Sequence, residues 1–180
     1  MNLLYTLTIT MLNSVLRYMK WLNLENFKWR KLTLGEIQIC QSVFANLIDY
    51  DQVIVMNHPY LPWQPVGMCM APDGWIYLKD PDYCDDFSTQ PLIDQALFIH
   101  EMAHIYQHQQ KINVLFKGAI LQSALYLSLG KYNPYKYQLK TDKPYSAYNI
   151  EQQGDIARDI FLKRIDNIIL STKTSNSSVV

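Results

Sequence analysis

The stretch Phe98 to Gln109, FIHEMAHIYQHQ, decides how the rest of the chain must be arranged. Apolar residues at helical spacing run from about Thr89 to Gln110, with Pro91 tolerated in the first turn and Leu97-Phe98-Ile99 unbroken in the middle. A helix this apolar is buried on most sides, so other elements must cover it. Within it lies His100-Glu101-Met102-Ala103-His104, the pattern H-E-x-x-H. With so few His and Glu in the chain, a shuffled sequence would show that triplet about 0.002 times. On an α-helix, positions four apart differ by about 40° in direction and about 6 Å in rise, so two imidazoles can converge on one cation. Glu101 points about 100° away from His100, off the ligand stripe but within reach of a water held by the same cation. A carboxylate among Phe98, Ile99 and Ile105 also needs compensation, which a divalent cation provides.

Two histidines leave such a site short, because catalytic zinc takes three protein ligands and keeps one position open. His108 lies about 12 Å along the axis from His100 and about 80° round, so a straight helix cannot bring it to the same ion. The extended spacing that would place a third His six residues after the second meets Gln110 instead. Glu151 is the better candidate. It opens a later helix, and Asp155 follows one turn on along the same face, where it can orient a ligating imidazole through its other ring nitrogen.

Working outward, Thr33-Leu34-Gly35-Glu36 is a capping box ahead of Ile37, Cys40, Val43, Phe44, Leu47 and Ile48, predicting a helix that ends near Asp49. Gln52 to Met56 reads as a short strand. Val66–Ala71 and Trp75–Lys79 around Pro72-Asp73-Gly74 read as a β-hairpin. Further helices are expected over Asn113–Leu129 and Ala147–Leu170, joined by a tyrosine-rich loop. The fold class is therefore α+β, a small mixed or antiparallel sheet packed on a buried active-site helix. One domain over residues 1–170 is expected, with 1–29 as a helical N-terminal extension and 171–180 as a disordered polar tail.

Composition narrows function. The 180 residues carry 16 basic and 16 acidic side chains, and 49% are apolar. Neutral charge without a long basic block lacks the footprint of a nucleic-acid binder, and Lys28, Arg30 and Lys31 read as solvated surface. Cys40, Cys69 and Cys84 have neither disulfide nor zinc-knuckle spacing. Leu3 to Leu16 is apolar but too short and too rich in Thr to span a membrane. It also lacks the preceding positive charge of a secretory signal, so cytoplasmic synthesis and a packed helix are expected.

The set His100, Glu101, His104, Glu151 and Asp155 resembles the gluzincin branch of the zincins. The stretches LTLGEI (32–37), APDGWIYL (71–78), DDFS (85–88), FIHEMAHIYQHQ (98–109) and NIEQQGDIARDIF (149–161) are similar to those of short zincin-like metallopeptidases encoded beside Rhs elements and spike proteins of type VI secretion systems. The likeness spans roughly residues 30–165. Glu151 follows His104 by 47 residues, more than in thermolysin-like members, so a helical insertion is implied. The resemblance implies that Trp75–Leu78 is a sheet edge where an extended peptide adds as a strand. It also implies contact-dependent secretion with a spike or Rhs partner.

These readings converge on a zinc metallopeptidase, with Zn2+ on His100, His104 and Glu151, Glu101 as general base and Asp155 as supporting carboxylate. An oxyanion donor is required too. Tyr145, Tyr148 and His58 are candidates, with Tyr148 first in that role. Peptides or proteins are the expected substrates. A peptidoglycan amidase or endopeptidase, a zinc-bearing accessory protein of a secretion element, and a membrane-associated protease stand as alternatives.

Overall fold

Thr33 begins the first helix as its capping box requires: its hydroxyl accepts from the Glu36 N–H, and the Glu36 carboxylate accepts from the Thr33 N–H. The computed structural model describes residues 26–171 together with Met11, Leu12, Ser14 and Val15. Those four positions are helical and exposed, and the rest of the expected N-terminal helix lies outside the described residues, as does the tail beyond Ser171.

In chain order the elements are β1 (Trp29–Lys31), α1 (Leu34–Phe44), β2 (Ile54–Met56), β3 (Ile76–Tyr77), α2 (Leu92–Gln109), α3 (Val114–Leu127), α4 (Ile150–Phe161) and α5 (Ile168–Ser171). The architecture is α+β with one mixed three-stranded sheet in the order β1-β2-β3, β1 antiparallel and β3 parallel to β2. Val55 and Ile76 from the sheet join Cys40, Val43 and Phe44 of α1, Phe98, Ile99, Met102 and Ile105 of α2, and Ile156 and Ile160 of α4 in one buried cluster. The cluster walls α2 from Phe98 to Ile105, while Leu92, Ile93 and Leu97 before it stay exposed, so the helix is buried in its middle and not on most sides throughout; α4 packs across it. Phe87 stacks on Phe98 with centroids 4.9 Å apart, closing the start of α2. All three cysteines are free, as their spacing implies.

The first of these helices begins at its predicted cap, α2 and α4 begin about three residues later than expected, at Leu92 and Ile150, and the helices end earlier than the apolar pattern suggests. The chain turns at Ala45 (φ 48°), so Ile48 reaches the core from a turn and not from a helix continuing to Asp49. Pro91 is the N-cap of α2, outside its first turn. The expected helix over Ala147–Leu170 is two. After Phe161 the backbone takes a positive φ at Lys163, and Asn167 starts α5 anew. Its amide oxygen accepts from the Ile169 and Leu170 N–H groups while its amide nitrogen donates to the Val43 carbonyl.

Two readings of the sheet are corrected. The hairpin over Val66–Lys79 reduces to a single antiparallel bridge between Met70 and Tyr77 around a left-handed Gly74 (φ 98°). The side chain of Gln64 takes the place of further ladder bonds, donating to the Met68 and Tyr77 carbonyls. Because Tyr77 exchanges both backbone bonds with Met70, the edge expected over Trp75–Leu78 is closed at its centre. The basic cluster near residue 30 is also not all solvated surface. Arg30 lies in β1 and grips the buried Glu36 through two bonds of 2.7 Å. That carboxylate accepts four hydrogen bonds in all, including one from the Phe87 N–H at 2.8 Å, so β1, α1 and the chain entering α2 share one buried ion pair.

Candidate metal centre

The helix α2 presents His100 and His104 on one face with ring centroids 5.1 Å apart, and α4 lies across them. It is seated this closely because residue 154 is glycine. A Cβ there would fall 2.5–2.7 Å from the atoms of the His100 ring. Asn149 caps α4 with a reciprocal Gln152 contact, which places Glu151 in its first turn, facing α2.

Each imidazole has one nitrogen committed. Nδ1 of His100 meets Asp155 Oδ1 at 3.1 Å. The carboxylate can only accept, so this nitrogen carries a proton, and in the neutral ring Nε2 holds the lone pair. His104 is set by a residue that the sequence pattern does not single out. Its Nδ1 lies 2.9 Å from Gln107 Oε1, and Gln107 Nε2 donates to the Ile150 carbonyl and to Gln153 Oε1, each at 3.0 Å. A carbonyl cannot donate, so the amide nitrogen must face Ile150 and the amide oxygen must face His104. Nε2 of His104 is therefore unprotonated as well when the ring is neutral. The spacing three residues after His104 puts Gln107 near the same face, and that is its only sequence signal.

The two Nε2 atoms converge on Glu151, whose Oε2 lies 3.5 Å from that of His100 and 3.7 Å from that of His104. Tetrahedral zinc with bonds of about 2.0–2.1 Å separates neighbouring donor atoms by about 3.3–3.4 Å. The donor set fits that ion in kind and spacing. Glu101 is also close, its ligand atom and those of both histidines lying within 4.8 Å of one another. The choice between the two carboxylates follows from their placement. Glu151 bridges both ring nitrogens from the facing helix, whereas Glu101 is buried beside them and accepts no hydrogen bond among the described residues. Glu101 is thus free to meet a water.

Charges follow this geometry. Burial alone would lower the His100 imidazole, but Asp155 and Glu151 outweigh it and raise its pKa to about 10. His104 is raised against its burial in the same way, chiefly by Glu151. For Glu151, burial works upward and the two histidines prevail, bringing it down to about 2. Burial pushes Glu101 up from its usual value, against the opposing pull of His104 and His100. Without a cation the site is a proton-bridged cluster, and a cation would replace those protons.

The cluster opens into a cleft of about 920 Å³ between α2, one face of α3 from Val114 to Tyr126, the segment 61–72 and Tyr135 of the tyrosine loop. Trp63, Met68, Leu97 and Leu115 give it apolar walls. None of the expected oxyanion donors lines it. The expectation for Tyr148 is corrected: its hydroxyl donates to the Gln138 carbonyl at 3.2 Å and accepts from the Lys140 N–H, because the loop before α4 wraps over that ring. The Tyr145 hydroxyl is buried and donates to the Gln153 carbonyl, and the His58 ring meets Phe27 edge-on. Tyr135 is the loop tyrosine that does line the cleft beside Glu151 and Asp155. Burial, then the Glu151, Asp155 and Glu101 carboxylates, push its pKa up to about 12, so it stays a neutral donor. His108 sits against Gly74, apart from the cluster.

Fold and site together define an α+β domain with a candidate metal centre between two helices. No protein-family model matches the chain. Over 136 residues, 75% of its length, it is 45% identical to the type VI secretion system spike protein VgrG2b of Pseudomonas aeruginosa, and it spans 13% of that protein. The solved effector domain of P. aeruginosa VgrG2b shares 42% identity and superposes with a TM-score of 0.69 over 83% of each chain. The chain belongs to the family of the VgrG2b effector domain. No helix among the described residues is long and apolar enough to cross a membrane.

Proposed function

We propose that this chain is a zinc-dependent metallopeptidase of the zincin type that acts as a type VI secretion effector, presented by a spike protein of the VgrG kind. The observation that carries the reading is the convergence of the Nε2 atoms of His100 and His104 on Glu151 Oε2 at 3.5 and 3.7 Å, with Glu101 alongside. His100, His104 and Glu151 hold the cation, and Asp155 and Gln107 orient the rings. Zinc, when bound, supplies a Lewis acid for the substrate carbonyl and a water of lowered pKa.

The remaining roles belong to side chains. Glu101 accepts the attacking water's proton and returns it to the leaving amine; its raised pKa suits both transfers. Tyr135 donates its hydroxyl hydrogen to the developing oxyanion. The apolar walls hold the scissile peptide away from bulk water. Secretion rests on family membership, since the relative whose name carries that function is a spike protein.

The test is metal analysis joined to an unbiased peptide-library digest of the wild type, Glu101→Gln and Tyr135→Phe. Glu101→Gln should retain zinc and lose hydrolysis, and Tyr135→Phe should lower kcat by about 10²- to 10³-fold with zinc intact. Cleavage by Glu101→Gln at the wild-type rate would overturn the mechanism. Parallel digestion of casein and purified sacculi separates a protein substrate from peptidoglycan stem peptides.

A further inference from the structure

The cleft does not end at the candidate metal centre. Tyr135, Asp155 and Arg158 line it and also line a second groove of about 820 Å³, so the two adjoin at these three residues beside α4. The ends differ in chemistry. Around the histidines the walls are apolar, while the far end is rimmed by Lys136, Lys140 and Lys143 from the tyrosine loop.

The carboxylates of that groove are already engaged. Asp155 takes His100 and Arg158, the latter at 2.7 Å, and Asp159 takes Arg164 and the Tyr137 hydroxyl. None of the three lysine ammonium groups has a carboxylate partner among the described residues, and Lys143 is held 4.0 Å over the Tyr148 ring. The groove is lined by three lysines and one arginine against two carboxylates, so its field is positive and favours an anion. Its one guanidinium is committed to Asp155, so an incoming anion is met by lysine point charges, and on a polypeptide substrate that anion is a carboxylate.

Resting on the peptidase reading above, we propose that this groove is a substrate subsite for an acidic residue. The substrate class is a polypeptide with a bulky apolar side chain on one side of the scissile bond and an Asp, Glu or free carboxylate on the other. Lys136, Lys140 and Lys143 bind the acid, and Trp63, Met68, Leu97 and Leu115 bind the apolar group. The tyrosine loop thus contributes both the oxyanion donor and the acid-binding rim.

The zinc-loaded full chain is assayed with three quenched-fluorescence peptide pools that differ only in having Glu, Gln or Lys fixed at flanking positions. The Glu pool should be cleaved with kcat/KM at least tenfold above the Gln pool, expressed mainly in KM and shrinking as salt rises. Lys140→Glu should narrow the gap, and Lys136→Glu/Lys140→Glu/Lys143→Glu should shift preference to the Lys pool with zinc content unchanged. Equal kcat/KM on all three pools by the wild type overturns the subsite. If no pool is cleaved, the peptidase reading fails, and the subsite is judged by fluorescence anisotropy of labelled Glu and Gln pools on Glu101→Gln. Tighter binding of the Glu pool sustains it, and equal binding refutes it.

Discussion

Replacing Gly154 with Ala sets two forces of opposite sign against each other. In an ordinary helix interior the change stabilises by about 0.5–1 kcal/mol, because Gly loses more backbone entropy on folding. Here the new Cβ would stand 2.5 Å from His100 Cε1, 2.6 Å from Nε2 and 2.7 Å from Nδ1. Ordinary carbon contacts lie at about 3.5–4.0 Å, so ring or helix must retreat by about 1 Å. The ring cannot swing away freely, since Asp155 holds its Nδ1 from the next residue of the same helix. Overpacking of this kind costs about 1–3 kcal/mol, so the metal-free protein should lose up to about 2.5 kcal/mol net, a fall of up to about 10 °C in Tm. Metal binding should suffer more, because ligand distances tolerate only about 0.2 Å. Calorimetry of the stripped protein and metal-to-protein ratios after dialysis against zinc read the two effects separately. A Gly154→Ala protein with a raised Tm and full zinc occupancy would show that α4 does not seat against His100 as described.

Other outcomes follow from the same geometry. Gln107→Leu leaves the His104 ring without its acceptor and should weaken zinc binding about 10- to 100-fold, and Gln107→Glu, which sets a carboxylate oxygen against the Ile150 carbonyl and Gln153 Oε1, should not restore it; equilibrium competition with a chelator measures both. Zinc binding near pH 7 should release protons, because His100 is protonated below about 10 without metal and must be neutral as a ligand. Affinity should therefore rise with pH, and titration calorimetry in buffers of different ionisation enthalpy counts the protons. The same raised pKa makes the metal-free fold gain from His100 fully below about 6.5 and lose that gain as pH climbs through about 10, so the Tm of stripped protein should fall over that interval. Arg30→Met strands the buried Glu36 and should cost about 3–5 kcal/mol in chemical denaturation while zinc affinity in the folded protein stays unchanged.

What the sequence reveals and what it hides divide along a physical line. Caps and helical spacing are local, so the capping box at Thr33, the course of α2 and the facing of His100 with His104 are legible in the residues alone. Glu151 and Asp155 are legible because two carboxylates one turn apart fall on one helix face, and both meet the histidines. Gln107 is not, since its meaning depends on the Ile150 carbonyl arriving from 43 residues away. Arg30 reads as surface because its partner, though only six residues on, is buried by the chain entering α2. Nearness in sequence to Glu151 favours Tyr148 over Tyr135, but the path of an irregular loop decides which hydroxyl reaches the cleft, and no periodicity encodes that path. The split between α4 and α5 has a signal in Asn167, masked by apolar residues on both sides.

The placement of Glu151, Asp155 and Ile150 on a helix that follows α3 has a consequence for when the site comes into being. His100 and His104 leave the ribosome nearly fifty residues before the carboxylate that faces them, and the Gln107 amide has no carbonyl to grip until Ile150 has been made. A chain cut anywhere between them carries a complete His-Glu-x-x-His pentapeptide and no centre. Synthesis itself therefore keeps the cluster incomplete until α4 has been made and has folded back across α2. Every fragment released early is without the site.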